Sequence, residues 1–194
     1  MLPDGSRLLT HTDVTDLVLL AEHFQELANS DFLTGLPNRH IFLRRGEAEW
    51  NRFRRYHHPF SVITCCIEEL AGISDKFGDA FADSAVLHVI AICVREKRAT
   101  DSVARLASDK LGLLLPHTTA EEAVIFAGRL RNALAYYPLY FDELPVRLRV
   151  TLGVAEANSE MSGIAALLKA AEDSRGPHTA EEMPVDRQTQ AVRP

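Results

Sequence analysis

The stretch RLASDKLGLLLP, Arg105 to Pro116, reads as two short strands joined by a tight turn. Leu111, Leu113, Leu114 and Leu115 form an apolar segment closed by Pro116. The SVAR before it suits a strand, which puts Ala107, Ser108 and Asp109 at the tip. Two-residue hairpin turns favour Asn, Asp or Gly because they need φ > 0, and Ala-Ser meets that requirement poorly. The tip therefore poses the functional question: what a turn carrying Ser108, Asp109 and Lys110 is for.

On either side of the hairpin the periodicity is mostly helical. A helix is expected from about Arg39 to Tyr56, then the β-rich run FSVITCCIE from Phe60 to Glu68. A longer helix follows over about Ala80 to Lys97, with Val86, Leu87, Ile90, Cys93 and Val94 facing inward. After the hairpin, Thr119 opens a helix to about Tyr136, with Glu121 and Glu122 in its first turn, where they suit the helix dipole. VRLRVTLGVA, Val146 to Ala155, alternates as a strand does, and a last short helix covers about Gly163 to Glu172. The order β-αα-β-β-α-β implies an α+β fold of ferredoxin-like type, a mostly antiparallel central sheet flanked by helices.

The ends differ in character. From Asp13, a good N-cap, Leu17, Leu20, Ala21, Phe24, Leu27 and Ala28 recur at helical spacing and form one apolar stripe, about two heptads long. That length suits a short parallel coiled coil between two chains, or packing on the chain's own domain. Beyond Ser174 the sequence has three prolines, little apolar content and no periodicity, and a disordered tail over 175–194 is expected.

Composition narrows the class. The 194 residues are 46% hydrophobic and 25% charged, which suits one globular domain with spare length. A net charge of -6 argues against a general nucleic-acid binder, and the basic RRYHH, Arg54 to His58, reads as a solvated helix end. Cys65, Cys66 and Cys93 are odd in number and lack CxxC spacing, and the start has no basic region followed by an apolar one. A reducing, cytoplasmic setting is expected, with the cysteines as packing residues. No apolar run approaches the roughly 20 residues of a membrane span.

The run DFLTGLPNRHIF, Asp31 to Phe42, resembles the opening signature of the GGDEF family, the bacterial diguanylate cyclases, in which D-x-LTGLxNR joins a signalling helix to the catalytic domain. The resemblance continues through ISDKFGDAFADSAV, RATDSVAR, the hairpin and VTLGVA. It divides the chain into a GGDEF-like domain at 31–174, a signalling helix at 13–30 and, at 1–12, a segment resembling the end of a PAS sensor domain.

In the family, the hairpin tip reads G-G-[DE]-E-F: the glycines admit the GTP phosphates, the first acid binds magnesium and the glutamate is implicated in activating the 3′-hydroxyl. Here those positions are Ala107, Ser108, Asp109, Lys110 and Leu111. Cβ atoms on Ala107 and Ser108 occupy phosphate space, and Lys110 is a cation where the base belongs. The family's first-strand aspartate, a second magnesium ligand, is Cys66, a poor ligand for a hard cation, and its phosphate-contacting lysine is Ala71. The closing segment that supplies a further phosphate lysine is reduced to AAEDSRG. Glu68 and Asp109 are the weak candidates for a shifted metal site. Of the guanine-reading positions, the asparagine is Ser74 and the aspartate is kept as Asp83. These losses predict a degenerate homologue that is not an enzyme and needs no cofactor, with Mg only if residual cyclase activity exists.

A second family feature, R-x-x-D placed five residues before the signature, binds the product cyclic di-GMP, and Arg98 to Asp101 stand at that spacing. Arg129 falls where the family often places a second arginine for the same ligand. Two guanidinium forks grip guanine edges and phosphates bidentately, and a carboxylate accepts the guanine N–H groups. Against this, an Arg at a helix end followed by Asp is commonly a cap or surface ion pair. The expected function is a catalytically inactive domain that senses cyclic di-GMP at Arg98, Asp101 and Arg129. It would signal as a homodimer through the N-terminal helix or to a partner signalling protein. The alternatives are a nucleotide-independent interaction module, and a cyclase with residual activity converting two GTP to cyclic di-GMP.

Overall fold

The computed structural model describes residues 29–175. The sensor remnant, almost all of the signalling helix and, apart from Arg175, the tail lie outside the described residues.

Helix α1, Arg39–Tyr56, starts at Asn38, whose side chain accepts the Ile41 N–H, and stops at His57, which turns left-handed at φ 56°. Strand β1, Phe60–Ile67, follows. Helices α2, Leu70–Phe77, and α3, Asp79–Glu96, are parted by Gly78 at φ 89°, a conformation that favours glycine. Strands β2, Ser102–Ala107, and β3, Lys110–Pro116, make the hairpin. Helix α4, Ala120–Tyr136, opens on a capping box, in which Thr119 accepts the Glu122 N–H and Glu122 accepts the Thr119 N–H. Two short strands, β4, Leu139–Phe141, and β5, Leu144–Val146, precede β6, Val150–Glu156, and α5, Ile164–Asp173.

The main sheet has the order β2-β3-β1-β6, antiparallel at every pairing. Strand β1 is buried along its whole length, so its two faces need separate covers. Ile63, Cys65 and Ile67 join Leu111, Leu113 and Leu115 on one face, under Val86, Val89 and Cys93 of α3 and Phe126 and Leu130 of α4. Val62, Ala104, Leu106 and Leu114 meet Phe42 and Trp50 of α1 and Ile164 and Leu167 of α5 on the other. The expected α+β architecture is the one found.

Three local expectations need correction. Leu87 and Val94 are 42% and 43% exposed, because the buried stripe of α3 runs through Ala82, Ala85, Val86, Val89, Ile92 and Cys93. The strand expected over 146–155 is divided: Val146 pairs with Leu139 in a separate hairpin, whereas Val150 pairs with Ile67 in the main sheet. The β4–β5 turn is Asp142-Glu143, with φ 46° and 64°, a pair without the Asn or Gly that marks such turns in a sequence. The signature hairpin itself contains no residue of positive φ. A register shift between Arg105 and Ala107 absorbs the mismatch instead, which explains how Ser108 and Asp109 serve as its turn.

Helix α5 lies so close to β6 that a Cβ on Gly153 would stand 1.9 Å from the Ala171 carbonyl oxygen. Gly153→Ala must therefore push backbone away from backbone, and it is expected to cost about 2 kcal/mol or more in chemical denaturation.

Candidate functional site

The hairpin tip is held from three directions. From below, the Ile67 N–H donates to the Asp109 carbonyl at 2.8 Å, which extends the β1–β3 pairing past Cys66 and Lys110. From the side, Arg105 donates to the carbonyls of Ala107 at 3.2 Å and Ser108 at 2.9 Å and to Asp31 Oδ1 at 3.0 Å. Asp31 also accepts from the Thr34 N–H and hydroxyl. Burial raises the Asp31 pKa, but the Thr34 hydrogen bonds and the Arg105 bond and charge outweigh it and hold the carboxyl below its ordinary 3.8. From above, Lys110 Nζ reaches Glu172 Oε1 at the end of α5, 2.8 Å away. Arg105 and Glu172 had no role in the sequence reading.

The acidic positions face chemistry different from that of a magnesium site. Cys66 is 6% exposed, and its thiol donates to Asp109 Oδ2 at 3.6 Å. Burial pushes the Cys66 pKa up, the Asp109 and Glu68 carboxylates push it further, and Arg175 pulls back, so the sulfur keeps its proton. Glu68 lies just past the end of β1, and its Oε1 accepts from the Thr151 hydroxyl at 2.6 Å. A protonated thiol, a carboxylate turned to Thr151 and a nearby ammonium do not fit a magnesium ion, which wants several hard oxygens. Among the described residues, no three His, Cys, Asp or Glu side chains gather in a way that could hold a metal ion.

The two guanine-reading positions are not joined to each other by a hydrogen bond. The Ser74 hydroxyl donates to Asp79 across the α2–α3 junction, and Asp83 is exposed one turn inside α3 rather than at its start.

Arg98, Asp101 and Arg129, in contrast, line one hollow of about 180 Å³ between the α3–β2 turn and α4, with Thr118, Glu122 and Phe126. Asp101 is buried and accepts the Arg98 backbone N–H at 2.8 Å, the local cap foreseen as the plain reading of this motif. That bond fixes the carboxylate without using the Arg98 guanidinium. The Arg129 guanidinium lies 5.2 Å from the centre of the Phe126 ring and makes a long contact, 3.5 Å, to the Glu96 carbonyl. Both arginines are exposed.

A family model described as "Diguanylate cyclase, GGDEF domain" matches residues 28–175. The chain belongs to the GGDEF family. The diguanylate cyclase DgcP of Pseudomonas aeruginosa is 31% identical over 150 residues, covering 77% of this chain and 22% of that protein. A diguanylate cyclase of Vibrio cholerae is 29% identical over 129 residues, covering 66% of this chain and 40% of its own. The chain thus spans less than half the length of these relatives. In three dimensions, the GGDEF domain of YfiN (TpbB) from Pseudomonas aeruginosa superposes with a TM-score of 0.69 at 26% identity, covering 75% of this chain and 85% of that one. The coiled coil and GGDEF domain of DgcB from Caulobacter crescentus, solved with c-di-GMP, gives 0.75 at 19% identity over 83% and 85% of the two chains, a likeness of fold.

The expectation that the chain is not an enzyme is overturned by these matches. It rested on residue changes at the signature tip, at Cys66 and Ala71 and in the closing segment, whereas the matching family and the named relatives are diguanylate cyclases. No helix among the described residues is long and apolar enough to cross a membrane.

Because the folded Asp31 carboxyl lies below its ordinary value, its contribution to stability is complete above about pH 4 and is lost as pH falls through the lower folded value. Asp31→Asn is expected to destabilise this GGDEF domain by about 1 kcal/mol at pH 7. The gap between the two proteins should narrow as pH falls below about 4 in urea titrations.

Proposed function

We propose that this GGDEF domain is a slow diguanylate cyclase, joining two GTP into cyclic di-GMP, whose output is set by that product held at Arg98, Asp101 and Arg129. The observation that carries the proposal is the convergence of those three side chains on one hollow, with both guanidinium groups exposed and the carboxylate fixed. Two arginine forks satisfy phosphate oxygens and the acceptor edge of guanine, and Asp101 suits the guanine N–H groups. About 180 Å³ is less than a pocket enclosing a drug-sized ligand, so one base of the dinucleotide enters and the remainder lies across the exposed arginines. The GGDEF domain of DgcB, solved with c-di-GMP, lends support through its fold.

Family membership and the retained Asp109 support the chemistry. Joining two GTP requires the 3′-hydroxyl of each to attack the α-phosphorus of the other, with a proton and pyrophosphate leaving at each step. Asp109 is the carboxylate available at the tip to take that proton, and Lys110 and Glu172 neutralise each other beside it. Losing a well-placed general base costs about 10²- to 10⁴-fold in rate, which is why the proposed turnover is slow. Residues 13–30 are proposed to carry the output by pairing two chains.

Isothermal titration with cyclic di-GMP is expected to give saturable binding that Arg98→Ala weakens at least about tenfold. No heat at high micromolar protein, or an affinity untouched by Arg98→Ala, would sink the binding reading. Incubation with GTP and Mg²⁺ or Mn²⁺ is expected to yield cyclic di-GMP at a rate that Asp109→Ala abolishes. Absence of product would remove the cyclase part and leave the binding part standing.

A further inference from the structure

Helix α1 carries six arginines against Glu47 and Glu49, a net charge of +4 on a chain whose total is -6. All six arginines are exposed, and among the described residues only Arg52 has a carboxylate partner, Glu49. Arg44, Arg45, Arg52 and Arg55 fall on one side of the helix, two before and two after the small, exposed Ala48. Like charges this close repel one another, and carboxylates laid along them relieve that repulsion.

We propose that this face of α1 holds residues 13–28 of the same chain, which lie outside the described residues. Charge is the first argument. The segment contains Asp13, Asp16, Glu22 and Glu26 and no lysine or arginine, a net charge of -4 against the +4 of α1.

The second argument is where the segment ends. The Asp31 N–H donates to the Leu36 carbonyl at 2.8 Å, Ser30 bridges Pro37 antiparallel, and the Asn38 N–H donates to the Asn29 carbonyl at 3.0 Å. The chain entering at Asn29 is therefore paired antiparallel with the chain leaving into α1, as far as the N-cap of that helix. Asn38 also bridges Arg105 of the edge strand β2, and Arg45 donates to the Ser102 hydroxyl, at the head of that strand, at 2.9 Å. Asn29 and the arginine face thus lie on the same side of α1, towards the β2 edge of the sheet.

Register and length supply the third argument. The helix expected over 13–28 is about 24 Å long, against about 27 Å for α1. Continued from the pair Asn29 and Asn38, the antiparallel register sets Leu19 opposite Ala48, Glu22 opposite Arg45, and Asp16 opposite Asn51, beside Arg52. Leu19, Glu22 and Glu26 lie away from the apolar stripe of Leu17, Leu20 and Phe24, so docking leaves that stripe turned outward for a second chain. A segment joined directly to the first turn of α1 acts at an effective concentration on the order of millimolar, so exposed ion pairs too weak to recruit a separate acidic protein suffice to hold it. The docking does not depend on nucleotide binding at Arg98.

The test is disulfide trapping in the full chain at low micromolar concentration, with oxidised glutathione as oxidant. Leu19→Cys with Ala48→Cys is expected to link within one chain at least about fivefold faster than Leu19→Cys with Tyr56→Cys, whose second position is about 12 Å further along α1. Neither pair alters a charge, Ala48 and Tyr56 are exposed, and the native Cys65, Cys66 and Cys93 are buried away from the exchange. Adding Glu22→Lys and Glu26→Lys, or raising NaCl to about 1 M, where charges are screened within about 3 Å, is expected to slow the first link at least about fivefold. No link within the chain, equal rates for the two pairs, a link indifferent to charge reversal and salt, or a link formed between chains would overturn the proposal.

Discussion

Strand β1 is dry on both faces from Phe60 to Ile67, and most of the architecture answers that constraint. An eight-residue strand buried along its whole length can be stable only between two helical layers, with its N–H and C=O groups met by a neighbour on each edge. The neighbours are β3 and β6, and the layers are α3 with α4 and α1 with α5. The Arg98 hollow and the signature hairpin fall near opposite ends of β1 and its partner β3.

The hairpin tip illustrates how a fold persists while its local chemistry changes. Its geometry is kept by backbone contacts that do not depend on the signature residues: the Ile67 N–H on the Asp109 carbonyl and the Arg105 side chain on the carbonyls of Ala107 and Ser108. Its charged side chains have neighbouring partners, Lys110 an ion pair with Glu172 and Asp109 a hydrogen bond from the neutral Cys66 thiol. Arg105 also ties the tip to Asp31, at the head of the domain, through one partly buried ion pair.

Helices with clear caps, such as the one opened by Thr119 and Glu122, were legible in the sequence because the capping residues act within four positions of each other. The inward face of α3 was less so. Leu87 and Val94 are apolar, and only the direction from which the sheet approaches decides that they stay outside. The β4–β5 hairpin was hidden because its turn uses Asp142 and Glu143 at positive φ, a conformation the flanking pairing imposes against local preference. At the site, spacing was enough to anticipate that Arg98, Asp101 and Arg129 lie together, since family register fixes where α3, β2 and α4 pass one another. Spacing could not reveal that Arg105 ties the tip to Asp31 or that Glu68 is turned to Thr151, both of which depend on contacts between residues more than 70 positions apart. Nor could changes at the signature positions by themselves establish that the chain is not an enzyme.

In the proposed function, Arg98, Asp101 and Arg129 form one nucleotide-reading surface of this GGDEF domain. The most direct measurement is a crystal structure of the chain grown with cyclic di-GMP. A guanine base is expected against Asp101, with phosphate oxygens between the Arg98 and Arg129 guanidinium groups. Cyclic di-GMP found at the hairpin tip instead, or the hollow left empty at saturating nucleotide, would contradict it.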